Sequence, residues 1–152
     1  MEHLDATDKL ILNRIQSDFP ITRTPYGTIA DELDLSEDEV IQRLNTLKQR
    51  GIIRRIGGNF VPEKVGFVST LCAARVPEER LDLFAETVNA YPGVTHNYMR
   101  ENEFNVWFTF IAPSREEIQK NLADISAKTG VEEILNLPAT RVFKIKAHFD
   151  LK

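Results

Sequence analysis

The chain has 152 residues and a mass of 17.4 kDa, room for one domain or two small ones. Nineteen Lys and Arg against 23 Asp and Glu give a net charge of −4, which weighs against the strongly basic surface that non-specific nucleic-acid binding needs. The mix of 42% hydrophobic and 28% charged residues is globular, no apolar run approaches the ~18 residues of a membrane helix, and one cysteine, Cys72, excludes an internal disulfide or a multi-cysteine metal site. The charged opening MEHLDATDK lacks the apolar core of a signal peptide, so a cytoplasmic location is expected.

The first third reads as three helices. Behind Asp5, a capping residue, Leu10, Ile11, Ile15 and Phe19 recur at helical spacing. Pro20 and Pro25 bracket an extended link, and a short helix follows over about 27–33 with Ile29, Ala30 and Leu33 inward. Ser36 and Glu39 form a capping box for a third helix lined by Val40, Ile41, Leu44 and Leu47 and ended by Gly51. This is a helix-turn-helix, and residues 52–61, IIRRIGGNFV, are expected to add a wing of two short β stretches around Gly57-Gly58.

The rest alternates between periods. Residues 67–76 suit a strand, and Pro77 opens a helix with Leu81, Phe84, Ala85 and Val88 inward that Tyr91-Pro92-Gly93 stops. Strands over about 94–101 and 103–111 are expected to meet at a two-residue turn. Ser114 caps a helix carrying Ile118, Leu122 and Ile125 that Gly130 ends. Residues 132–137 and 140–149 give two last strands around Pro138. The fold class expected is therefore α+β: a winged helix-turn-helix domain, 1–62, followed by a ferredoxin-like βαββαβ domain, 63–152. One face of such a sheet carries both helices and leaves the other open.

Duplex binding by the helix-turn-helix is disfavoured. The groove-facing end of its third helix would present Glu37, Asp38 and Glu39, and residues 1–66 hold 9 bases against 11 acids. The chemically able groups lie elsewhere. Arg54 and Arg55, in a wing strand, would point to opposite faces, each with a planar fork suited to carboxylate or phosphate. In VTHNYMR, a spacing of two puts His96, Tyr98 and Arg100 on one sheet face. The next strand sends Phe104, Val106, Phe108 and Phe110 toward the helices and places Asn105 and Trp107 beside the His–Tyr–Arg set. Spacing alone names no reaction, and each group also has a structural use: a hydrogen-bonded strand histidine, aromatics padding an interface, a solvated edge arginine. Cys72 sits among small residues and reads as core.

The strings LDATDKLIL and SEDEVIQRLNTLKQRGIIRR, with the ferredoxin-like second half, resemble the Lrp/AsnC regulators over nearly the whole chain. More specifically, PYGTIADELDLSEDEVIQRL, GIIRRIGGNF, VTHNY and NVWFTF are similar to the sirohaem decarboxylases of the alternative haem and haem d1 pathways. That resemblance implies a carboxy-lyase converting sirohaem to 12,18-didecarboxysirohaem, with a homologous second subunit and no cofactor beyond the iron tetrapyrrole substrate. It implies that Arg54 or Arg55, Arg100 and Arg141 bind the carboxylates, that Trp107 and Tyr98 flank the ring, and that Asn105 joins them in binding the substrate. His96 would be an axial ligand of the substrate iron or, with Tyr98, an acid–base group. The alternatives are an Lrp/AsnC-type transcription regulator and a tetrapyrrole-binding sensor without chemistry.

Overall fold

The computed structural model of the chain describes residues 4–145 and 148–151. It divides into two compact units, Met1–Gly58 with Lys144–Lys152, and Asn59–Phe143. The boundary thus falls a few residues before the expected one, and the last residues group with the helical unit.

The first unit holds α1 (Ala6–Ile15), α2 (Pro25–Leu33) and α3 (Glu37–Gln49). Asp5 and Asp8 close a reciprocal capping box on α1, each side chain accepting from the other's backbone N–H. Pro25 opens α2 rather than ending the link before it, because a first-turn position needs no N–H donor. Ser36 accepts from the Glu39 N–H at 3.2 Å, but the Glu39 carboxylate turns to Arg43, so only half of the expected box forms on α3. The core of this unit is Ile11, Ile29, Ala30, Val40, Leu44, Leu47 and Ile53. Across it, Arg43 binds Asp5 at 2.7 Å, Asp8 at 2.9 Å and Glu39 at 2.9 Å, tying α3 to the start of α1.

The expected wing does not form: no strand lies within 52–61. A lone two-stranded ribbon is marginal, and Gly57-Gly58 offers no side chains to pair across it, so the segment stays irregular.

The second unit contains β1 (Val68–Ala74), α4 (Leu81–Asn89), β2 (Val94–Met99), β3 (Val106–Ala112), α5 (Arg115–Thr129) and β4 (Ile134–Leu137). The strands are antiparallel in the order β2-β3-β1-β4, the ferredoxin-like arrangement. Cys72, Ala74, Val106, Phe108, Phe110 and Ala112 face Phe84 and Val88 of α4 and Ile118, Leu122 and Ile125 of α5. Burial pushes the Cys72 thiol up to about 12, which leaves it an inert core residue. The expected strand over 140–149 is absent among the described residues. No described helix is long and apolar enough to cross a membrane.

The β2–β3 connection also differs from expectation. Met99 pairs with Val106 and the Arg100 N–H reaches the Asn105 carbonyl at 2.7 Å, so a four-residue loop, 101–104, replaces the two-residue turn. Phe104 falls in that loop, half-buried under the Arg75 guanidinium at 5.6 Å, instead of facing the helices. Two and four are both even, so the faces of the two strands stay matched.

Two measurements test these contacts. A Cβ at Gly93 would lie 2.0 Å from the Ile111 carbonyl oxygen, whose residue donates its N–H to Gly93 at 2.8 Å. Gly93→Ala is expected to cost about 2 kcal/mol or more in urea melts. Arg43 holds the Asp5 carboxyl below its ordinary value, mainly by their hydrogen bond. A depressed carboxyl stabilises above its unfolded value and loses that contribution as pH falls through the folded one. Arg43→Met is therefore expected to lower the melting temperature at neutral pH and to flatten the acid limb below about pH 4 in melts run from pH 6 down to 2.5.

Candidate functional site

The sheet face opposite the helices gathers the β2 and β3 groups. Cross-strand partners share a face, and His96 pairs with Thr109 and Tyr98 with Trp107. A β-bulge between Val94 and His96 makes this possible. In an unbroken strand those two residues would point the same way; with Thr95 as the extra residue, Val94 packs on the core while His96 faces the other side. The His96 and Tyr98 rings stack at 5.8 Å, 26° apart. Thr95 Oγ1 lies 3.0 Å from His96 Nδ1, leaving Nε2 without a partner among the described residues. The Arg100 guanidinium sits 5.4 Å from the Trp107 ring, and the Trp107 indole N–H donates to the Phe104 carbonyl at 2.6 Å. Half-exposed Leu71, Leu135 and Leu137 extend the same face across β1 and β4.

Asn105, expected beside the binding groups, is engaged with backbone. It lies in register with Arg100, but its amide donates to the Val76 carbonyl at 2.8 Å and accepts the Val76 N–H at 2.9 Å. Both ends of the side chain are committed to β1's exit, so it acts as a structural clamp. Arg141 follows β4, its guanidinium 4.9 Å over the Phe143 ring. No hydrogen bond, ion pair or ring contact joins it to the His96 cluster among the described residues.

Arg54 and Arg55 belong to the first unit. Since no strand forms there, the opposite-face expectation fails, and both line one apolar pocket of about 510 Å³ with Leu12, Ile15, Phe19 and Ile52. Both are exposed, and neither guanidinium has a partner among the described residues. Phe149 and Leu151 close the pocket's other wall. The expected last strand, 140–149, included Phe149 and stopped short of Leu151, and neither was expected at this pocket. The available signal was Asn13 on α1 and Gln16 at its C-cap, two amides three residues apart with no apolar role.

Among the described residues no cluster of His, Cys, Asp and Glu could hold a metal ion. On the open sheet face of the second unit, the Tyr98 and Trp107 rings and the Arg100 guanidinium are groups of the kind that meet a flat, anionic ligand.

Residues 64–144 match the AsnC-like ligand binding domain, and residues 8–54 match the siroheme decarboxylase NirDL-like HTH domain. The siroheme decarboxylase alpha subunit of Desulfovibrio desulfuricans is 53% identical over 146 residues, covering 96% of this chain and 84% of that protein. The chain belongs to the sirohaem decarboxylase family. The alpha subunit of Oleidesulfovibrio alaskensis is 51% identical, covering 99% and 91%. The crystal structure of the siroheme decarboxylase NirDL in co-complex with an iron-uroporphyrin III analogue superposes with a TM-score of 0.66 at 30% identity, over 95% of this chain and 48% of that one. This chain thus spans about half of NirDL. The leucine response regulatory protein of Mycobacterium tuberculosis gives a TM-score of 0.80 at 20% identity, over 95% of this chain and 99% of that one, a likeness of fold alone.

The Asn105 clamp has a measurable consequence. Asn105→Ala leaves a buried residue's backbone N–H and carbonyl without their partners. The expected loss is about 1–3 kcal/mol in denaturant melts, with ligand affinity of the folded protein unchanged.

Proposed function

We propose that this chain is a subunit of a sirohaem decarboxylase that removes CO2 from two acetate side chains of sirohaem, giving 12,18-didecarboxysirohaem. The observation that carries this reading is the match at 53% identity along almost the entire chain to a protein of that name. The His96–Tyr98 stack beside Trp107 and Arg100 supports it from the chemistry.

The reaction exchanges carbon dioxide for a proton: each CH2–CO2⁻ group loses CO2, and the carbon left behind takes H⁺ to become a methyl group. The chain must grip the carboxylates, accommodate the ring and deliver the proton. Within the first unit Arg54 and Arg55 line an apolar pocket and can take carboxylates there; within the second, separately, Arg100 offers a guanidinium beside the indole. Tyr98 and Trp107 present ring faces to a planar macrocycle. His96 has an open Nε2 and a hydroxyl neighbour on Nδ1, an arrangement fit for proton delivery or for the substrate's iron, with Tyr98 as the adjacent donor. Electron density left on the pyrrole spreads through the conjugated ring, so the substrate serves as its own electron sink and no further cofactor is invoked.

A homologous second subunit completes the assembly in this reading. The relatives carry subunit names, alpha and NirD among them, and half-exposed leucines on the sheet face offer an apolar surface to such a partner. The reaction is placed in the cytoplasm on the sequence reading alone. A role as a duplex-binding regulator is opposed by Glu37, Asp38 and Glu39 at the start of α3 and by Arg43, which is held by three carboxylates.

Anaerobic incubation with sirohaem, following CO2 and the masses of the tetrapyrrole products, tests the assignment. The expected outcome is loss of two carboxyl groups. A shifted Soret band with no CO2, when the homologous subunit is also supplied, would make the protein a sensor instead. His96→Ala is expected to reduce turnover by at least about 100-fold, the range of a lost acid–base group. Arg54→Gln and Arg55→Gln are expected to raise KM, and the larger rise identifies the arginine that grips the substrate.

A further inference from the structure

The end of the chain is held in an unusual way. Asn13 donates its side-chain amide to the Leu151 carbonyl at 3.0 Å and accepts the Leu151 N–H at 3.2 Å. Gln16 does the same for Phe149, at 2.7 Å to the carbonyl and 2.8 Å from the N–H. The two amides are linked, Gln16 Nε2 donating to Asn13 Oδ1 at 3.2 Å. Alternate residues of an extended segment present their N–H and carbonyl groups to the same edge, so two side-chain amides on a helix stand in for a neighbouring strand. This also accounts for the strand-like sequence of residues 148–151 in the absence of any ladder. Ser17 adds a contact at 3.2 Å to His148 Nδ1.

Such an arrangement fixes side chains as well as backbone. Phe149 and Leu151 both line the 510 Å³ pocket that carries Arg54 and Arg55, and Gln16 is itself a lining residue. The pocket's wall is therefore built from a terminal segment whose docking depends on four amide hydrogen bonds. Phe149 remains 68% exposed even when docked, so apolar burial contributes little to keeping it in place.

We propose that Asn13 and Gln16 are positioning residues for substrate binding: they dock the 148–151 strap as the wall of the Arg54–Arg55 pocket, and affinity for the tetrapyrrole depends on that docking. The proposal rests on the reading that Arg54 and Arg55 grip the substrate. The Asn13 and Gln16 amides touch the chain's own backbone, and their effect runs through the wall they hold.

The test uses the full chain with two variants, Asn13→Ala/Gln16→Ala and Phe149→Ala/Leu151→Ala. The first removes the clamp, and the second removes the wall while leaving the clamp in place. Both are expected to raise KM for sirohaem by about tenfold with kcat little changed, since binding rather than chemistry is affected. The clamp variant is also expected to be cut by trypsin after Lys144 several-fold faster at an unchanged melting temperature of the α1–α3 unit, a readout independent of turnover. Wild-type KM in both variants, or an unaltered cleavage rate in the clamp variant, overturns the proposal. If Arg54→Gln and Arg55→Gln also leave KM unchanged, the reading of the pocket itself has failed; if they raise it while the strap variants do not, only the role of the strap has.

Discussion

The bulge at the start of β2 is the constraint on which the chemistry of the sheet depends. Val94 and His96 stand two apart, and a regular strand would send both the same way. Either a valine would be pulled from the core or an imidazole pushed into it. The missing Cβ of Gly93 lets the Ile111 carbonyl approach, the Ile111 N–H anchors that end of the ladder, and Thr95 supplies the extra residue. From Asn97 onward the alternation runs regularly, which is why Tyr98 lands beside Trp107 and Arg100 comes over the indole. A backbone irregularity thus reconciles core packing at one residue with an outward histidine two residues on.

Charge is sorted with similar economy. In a chain with more acids than bases, most arginines near the framework are engaged: Arg14 by Glu32, Arg43 by Asp5, Asp8 and Glu39, Arg75 by Glu103 and Glu133, and Arg80 by the carbonyls that end α5. Arg54 and Arg55 have no such partners among the described residues, and Arg100 and Arg141 rest on rings. A guanidinium over an aromatic face keeps its outer N–H groups available, whereas one inside a carboxylate network does not. The distinction separates arginines that stabilise from arginines able to receive an anion. Composition hides it, because only the pairing reveals it.

Much of the fold was legible because its signals are local. The caps at Asp5, Ser36 and Ser114 and the stops at Gly51 and Gly130 mark helix ends through hydrogen bonds within a few residues, and the apolar periods of α3, α4 and α5 match the observed core. The common face of His96, Tyr98 and Trp107 was also readable, since parity survives a change of loop length from two to four. What escaped depends on partners distant in sequence. The wing's alternation looked strand-like, yet it has no ladder partner. The tail's alternation looked strand-like too, and its partner is a pair of helix side chains 133 and 138 residues away. Asn105 fell in register with the binding groups, and nothing in the sequence could show that its amide closes on Val76.

Overall shape is a poor guide to chemistry in this architecture. The three helices form and pack on a common core, but the end of α3 that would enter a groove carries three acids, and its cation nearest them is locked in place. That unit also carries a pocket between α1, the 52–57 segment and residues 149–151, apolar inside and lined by Arg54 and Arg55. Groove binding needs spread positive charge on an exposed helix; holding a macrocycle with a carboxylate rim needs an apolar recess with a few fixed cations. The same helices can support either use, and the placement of charge decides which. A few residues, Glu37, Asp38 and Glu39 foremost, therefore weigh more against groove binding than the superposition of the entire backbone weighs for it.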